Sequence, residues 1–134
     1  MTIETQLDDT KSLRTHVVRG DINLPDLSAF LKALYASHDF KPDYNALWDV
    51  RSADFHNVTQ SSIQELANFV RVNWAEKRTL RAAIVVSGLF HYGISRAYEQ
   101  CIGPSGYGKI KIFRDLDEAL SWLSKPDTAT PHAS

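Results

Sequence analysis

The sequence predicts an α/β fold: one domain over residues 1–124, with a mostly parallel mixed sheet, an N-terminal hairpin and the order ββαβαβαβα. Three observations predict it. The short apolar runs ALWDV, LRAAIVV and KIKIF have the length and composition of strands. Segments with apolar residues at helical spacing separate and follow them. A chain of 134 residues, 43% hydrophobic and 23% charged, can bury a single core without disulfides or metals.

Two β-prone runs, residues 2–6 and 13–19, flank a polar turn-forming segment and read as the hairpin. NLPDLSAFLKALYAS follows, with Leu27, Phe30, Leu31, Leu34 and Tyr35 at helical spacing. Pro25 and Asp26 suit the first turn of that helix. ALWDV reads as a buried strand that ends in charges, and SADFHNV as the loop leading on. Ile63, Leu66, Ala67, Val70 and Trp74 mark the stripe of a second helix. LRAAIVV, continuously apolar, has the character of a central parallel strand.

The third helix presents Phe90, Ile94, Ala97, Tyr98 and Cys101 inward. Gly93 within it costs about 1 kcal/mol against Ala, which predicts that the glycine lets the helix approach the sheet. GPSGYG is a turn cluster, KIKIF alternates like a half-exposed strand, and RDLDEALSWLSK closes the fold. Asp115 and Glu118 match a capping box there. The polar, proline-broken residues 125–134 read as a disordered tail.

A net charge of −1 without clustered Lys and Arg argues against nucleic-acid binding. MTIETQLDD lacks the basic and apolar regions of a secretory leader, and AAIVV is too short to span a bilayer, so the expectation is a cytoplasmic protein. The single cysteine, Cys101, sits in an apolar pattern and reads as a buried small hydrophobe. The five histidines show neither H-x-x-x-H nor H-E-x-x-H spacing, so no metal is expected. GPSGYGK leads into a strand rather than a helix and does not match a P-loop, so no nucleotide cofactor is expected.

The serine pair Ser61–Ser62 opens the second helix. Three registers explain it as helix initiation. Thr59 can cap, with Val58 and Ile63 as a hydrophobic staple; Ser62 can cap with Glu65; Ser61 can cap with Gln64. A phosphorylation switch at Ser61 or Ser62 ranks second, since a helix N-terminus accommodates phosphate. A nucleophile ranks last, because no G-x-S-x-G elbow is present.

Strand carboxyl ends surround the usual ligand crevice of an open α/β sheet. Here they carry Asp49 and Arg51, Ser87 and Gly88, and Arg114 and Asp115. Asp49, between Trp48 and Val50, should face solvent at the strand end or pair with Arg51 or Arg96. Ser87 and Asp115 also read as helix caps. Tyr92, Arg96 and Glu99, flanked by His91 and Ser95, form a strip on the third helix that reads as its solvated side, with a binding face as the alternative.

The stretches LWDVRSADF, RAAIVVSGLFHYGISRAYE and KIFRDLDEALSWL together resemble the SpoIIAA-like proteins of the STAS type (sulfate transporter and anti-sigma factor antagonist), in their small uncharacterised bacterial branch. The resemblance spans residues 2–123 and implies a ββαβαβαβα domain that is usually non-enzymatic. In anti-sigma factor antagonists an Asp-Ser-Ser-type motif at a helix start carries the phosphorylated serine. Ser61 and Ser62 fall in the comparable place, with Gln60 where the aspartate stands and Ile63 where a glycine follows.

The leading expectation is a regulatory protein that binds an unidentified protein partner through Asp49, Arg51, Thr59, Ser61 and Ser62. Its rival is a sensor or carrier holding a small anionic or amphipathic ligand among Arg51, Ser87, Arg96 and Asp115. A hydrolase built on Ser87 and His91 is the remote third. A homodimer through the hairpin edge strand fits the pattern without being demanded by it.

Overall fold

A computed structural model describes residues 1–74, 81–102 and 109–125. The elements are β1 (Thr2–Asp8), β2 (Leu13–Asp21), α1 (Leu24–Ala36), β3 (Asn45–Asp54), α2 (Gln60–Trp74), β4 (Arg81–Val85), α3 (Leu89–Ile102), β5 (Lys109–Phe113) and α4 (Leu116–Ser124). The order is the one the sequence predicts. The expected tail (126–134), the turn cluster 103–108 and the inward placement of the Trp74 and Phe90 side chains lie outside the described residues.

The sheet runs β1-β2-β3-β4-β5. β1 pairs with β2 antiparallel, and β2, β3, β4 and β5 are parallel neighbours. The hairpin turn uses the left-handed region at Ser12 (φ 50°), and an Asx-type bond from Lys11 N–H to Asp8 Oδ1 (3.1 Å) tightens it. Gly20 has φ +87°, and a Cβ there would also meet the Met1 backbone at 3.5 Å.

Each crossover steps to the next strand in the same direction. Crossovers of one hand then place their helices on one face, and α1, α2 and α3 do share a face. Their inward residues, among them Leu31, Leu66, Val70 and Ile94, pack with Val18, Ala46, Val50 and Ala82 of the sheet. α4 follows the last strand and covers the opposite face: Ala119 and Leu123 pack on Leu47, Ala83, Val85 and Phe113. Consecutive residues of β3 and β4 therefore bury on opposite sides, as period-2 side chains must.

The caps follow local chemistry. Asn23 Oδ1 accepts from Asp26 N–H (3.0 Å) at the start of α1. Asp115 Oδ1 accepts from Asp117 N–H (3.3 Å) at the start of α4. At the α4 C-terminus the Arg81 guanidinium donates to the Trp122 and Lys125 carbonyls (2.5 and 3.0 Å), and Asn45 Nδ2 donates to the Leu123 carbonyl (2.9 Å).

Four expectations need correction. β3 continues through the charged residues to Asp54, so Asp49 is mid-strand and the segment before α2 is short. Gly93 is exposed, with nothing within 4 Å of where a Cβ would sit. The inward stripe of α3 centres on Ile94, Tyr98 and Cys101 and spreads toward Ser95 rather than Gly93, so Ser95 is buried and Tyr92 packs against the core. Gly88, whose carbonyl accepts from Tyr92 N–H (2.9 Å), holds the cap position of α3 in place of Ser87.

Candidate functional site

Asp49 and Arg51 follow Leu47 on the α4 side of β3 and pair with each other. Arg51 donates from Nε to Oδ1 (2.9 Å) and from Nη2 to Oδ2 (2.8 Å), and its backbone N–H reaches Oδ1 (3.2 Å). Bonding to Arg51 holds the Asp49 carboxyl below the usual carboxylate range. Arg96 pairs elsewhere, with Glu99 on its own helix (3.0 Å). Asp115 is occupied as the α4 cap, and its charge acts on Arg51.

At α2 the first register is realised in a reciprocal form. Ser62 N–H donates to Thr59 Oγ1 (3.1 Å) and Thr59 N–H donates to Ser62 Oγ (3.0 Å). The Ser62 hydroxyl in turn donates to the Thr59 carbonyl (2.9 Å). Ser61, between them, is exposed. Ser87 Oγ lies 3.2 Å from His91 Nδ1, and the His91 ring stacks on Phe55 at 4.5 Å. The nearby Asp54 bonds to His56 instead (2.8 Å to Nδ1), which raises the His56 pKa and lowers that of Asp54. Asp21, Asp54 and His56, all exposed, bring possible metal-ligating atoms within 4.8 Å of one another. The predicted residues thus occupy separate small clusters on both faces of the sheet.

A mainly apolar cavity lies elsewhere. It has a volume of about 130 Å³ and lies between part of the sheet and the α1–α3 layer. Leu27, Leu31 and Leu34 of α1, Ile63 and Val70 of α2 and Ile94 of α3 contribute to its walls. Four polar side chains join them: Arg14, Tyr35, Ser95 and Tyr98. None of Arg51, Ser87, Arg96 and Asp115 does.

Arg14 is the unusual member. It is 4% exposed, near the start of β2. Its Nε–H donates to His16 Nε2 (3.1 Å), its Nη1 donates to the Lys41 carbonyl at 3.5 Å, and its guanidinium lies 4.8 Å from the Phe40 ring centroid. His16 is 0% exposed and sits between Trp48 and Phe30, at ring separations of 4.1 and 5.6 Å. Accepting from Arg14 at Nε2 assigns the proton to Nδ1, which then donates to Thr5 Oγ1 (2.8 Å). Burial, then the Arg14 charge, push the His16 pKa down to about 3, so the ring is neutral. Burial pushes Tyr35 up to about 12, and raises Tyr98 further, so both remain phenols.

No family model matches the chain, and no curated protein does. Among solved structures, an uncharacterized DUF3478-family protein from Shewanella loihica PV-4, described as having a SpoIIAA-like fold, is similar. It shares 19% identity at a TM-score of 0.57, with 91% of this chain and 92% of that one covered. The chain has a SpoIIAA-like fold.

In this SpoIIAA-like domain, sequence reasoning anticipated polar groups at the strand carboxyl ends and missed those at the amino end of β2. The pattern of residues 13–19 predicts a hairpin strand and assigns Arg14 and His16 to neither face. The available signal was their parity with Val18: residues 14, 16 and 18 point the same way, and the last of them is core. Tyr35 and Tyr98 were recognised only as members of apolar stripes.

Proposed function

We propose that this SpoIIAA-like protein is a non-catalytic binding domain that holds a small, mainly apolar ligand between its sheet and its three-helix layer. The cavity carries this reading. Close-packed interiors leave few voids larger than a water molecule. A void of about 130 Å³ is comparable to the engineered cavities that stay dry and admit benzene. Apolar walls with a few convergent polar groups are the ordinary composition of a ligand site. This site differs from the expected sensor or carrier site at the strand ends, and what supports it is that the cavity is lined by none of Arg51, Ser87, Arg96 and Asp115.

The test is titration of isotope-labelled protein with benzene or indole, followed by backbone amide shifts. Saturable shifts on residues of α1, α2, α3 and the facing strands support the reading. Absence of any saturable shift, or shifts confined to α4 and β5, would sink it.

A second reading, partner binding at the α2 start, is favoured by one observation. Ser61 is exposed in the first turn while Ser62 is committed to the cap. A phosphate on Ser61 would add charge beside Thr59 without dismantling the cap; on Ser62 it would break it. Ser61→Glu should then alter capture of a protein partner while leaving the melting temperature within about 2 °C.

A further inference from the structure

We infer that the ligand of this cavity is an organic monoanion, an aryl or short branched carboxylate, whose carboxylate is bound by Arg14. The inference rests on the cavity reading above and adds the chemical class of the occupant.

A guanidinium has five N–H donors in a planar fork. Arg14 uses one at His16 and one, at the limit of hydrogen-bond distance, at the Lys41 carbonyl. Three donors are left on a side chain that is 4% exposed and lines the cavity. Among the described residues no carboxylate pairs with it. Burying a cation without a counter-charge is costly. His16, neutral and accepting at Nε2, orients the guanidinium without cancelling its charge. Phe40 covers one face of the group, which leaves the Nη edge for a ligand.

The occupant must therefore supply one negative charge on a flat, bidentate acceptor, and an apolar body of about one aromatic ring. Carboxylate matches the guanidinium fork. A dianion would exceed the single cation. The Tyr35 phenol, which lines the same cavity and feels the Arg14 charge, is a further donor for the same group.

The probes are benzoate, its neutral isostere benzamide, and benzene, each titrated into wild type and Arg14→Met. The variant keeps an unbranched apolar stem and removes the charge. Wild type should bind benzoate at least about tenfold more tightly than benzamide. Arg14→Met should lose that preference while still taking up benzene. Equal affinity for benzoate and benzamide in wild type overturns the inference and leaves the cavity reading standing, as does undiminished benzoate binding by Arg14→Met. Failure of all three probes removes both. Should Arg14→Met not fold, the wild-type comparison alone decides.

Discussion

The two faces of the sheet are built to different standards. On the α4 face, Ala83, Val85 and Ala119 are each 0% exposed and pack in one cluster with Leu47, Phe113 and Leu123. Where α4 does not reach, that face carries the ion pairs Glu4–Arg19 and Asp49–Arg51. On the opposite face three helices leave a cavity, and the buried Arg14 lines it beside a neutral histidine, whereas the buried Arg81 of the α4 side donates to the helix-end carbonyls of Trp122 and Lys125. Cavities and buried polar groups both reduce stability relative to an apolar, filled core. The contrast teaches that the proposed ligand site lies on the face where packing is incomplete, while the α4 face is filled by its helix.

The faces should separate most widely under acid. His16 is neutral when folded, with its pKa pushed to about 3 from 6.5. Between those values the unfolded chain takes up a proton and the folded chain does not. Stability therefore rises with pH across this window and is lost as pH falls through it, by on the order of 5 kcal/mol in all. Asp49, held below its usual 3.8 by Arg51, has the opposite shift origin and a lower window. Its contribution is present above about pH 4 and declines below. Urea midpoints from pH 7 to pH 4 should thus fall steadily in wild type, and His16→Gln should flatten that slope. A flat wild-type profile would mean that His16 is not held neutral.

Ala82 and Ala83 give the sharpest local comparison, because neighbours in β4 point to opposite faces. Ala82 lines the cavity and Ala83 meets the α4 cluster. Ala83→Val should overpack and cost about 1–3 kcal/mol. Ala82→Val should be neutral or stabilising by up to about 1 kcal/mol as the added methyls fill space. The same variant should weaken uptake of benzene. Equal costs at the two positions, measured by denaturant midpoint, would remove the distinction between the faces.

The scaffold was legible because its signals are local and repeated. Continuous apolar composition in LRAAIVV, alternation in KIKIF and helical stripes over three helices each report burial directly. The mostly parallel pairing followed because strand–helix–strand crossovers join parallel neighbours. The cavity face was less legible, since a cavity is a deficit of volume among residues that all look like core. Leu27, Leu31 and Ile63 carry the same pattern whether the space between them is filled or empty. The charged end was misplaced for a related reason. LRTHVV reads as a hairpin strand without saying which face is covered, and pairing with β3 sets His16 against Trp48. Gly93 shows the converse: a residue type suggested close approach, and a phase difference of one position turned it outward.

At the α2 start the contrast is between neighbours in one turn. Thr59 accepts from Ser62 N–H and receives its hydroxyl in return, while Ser61 is exposed. Thr59→Ala should lower stability by about 1 kcal/mol, and Ser61→Ala should stay within about 0.5 kcal/mol. Thermal denaturation separates the two. The reverse order would assign the cap to Ser61 and free Ser62 for modification.

The smallest effects lie on the uncovered half of the α4 face, where the two ion pairs differ in environment. The Glu4 side chain is 66% exposed and that of Asp49 is 15%. Exposed pairs contribute roughly 0.2–1 kcal/mol and are screened by salt. Asp49 also accepts from a backbone N–H, and both its oxygens are engaged by Arg51. Glu4→Gln should therefore cost under about 1 kcal/mol at low salt and almost nothing in 1 M sodium chloride. Asp49→Asn should keep most of its somewhat larger cost at both concentrations, because its loss includes short hydrogen bonds that ions do not screen. If salt erases both effects equally, the Asp49 pair is as loosely held as the Glu4 pair, and this half of the sheet is a solvated surface throughout.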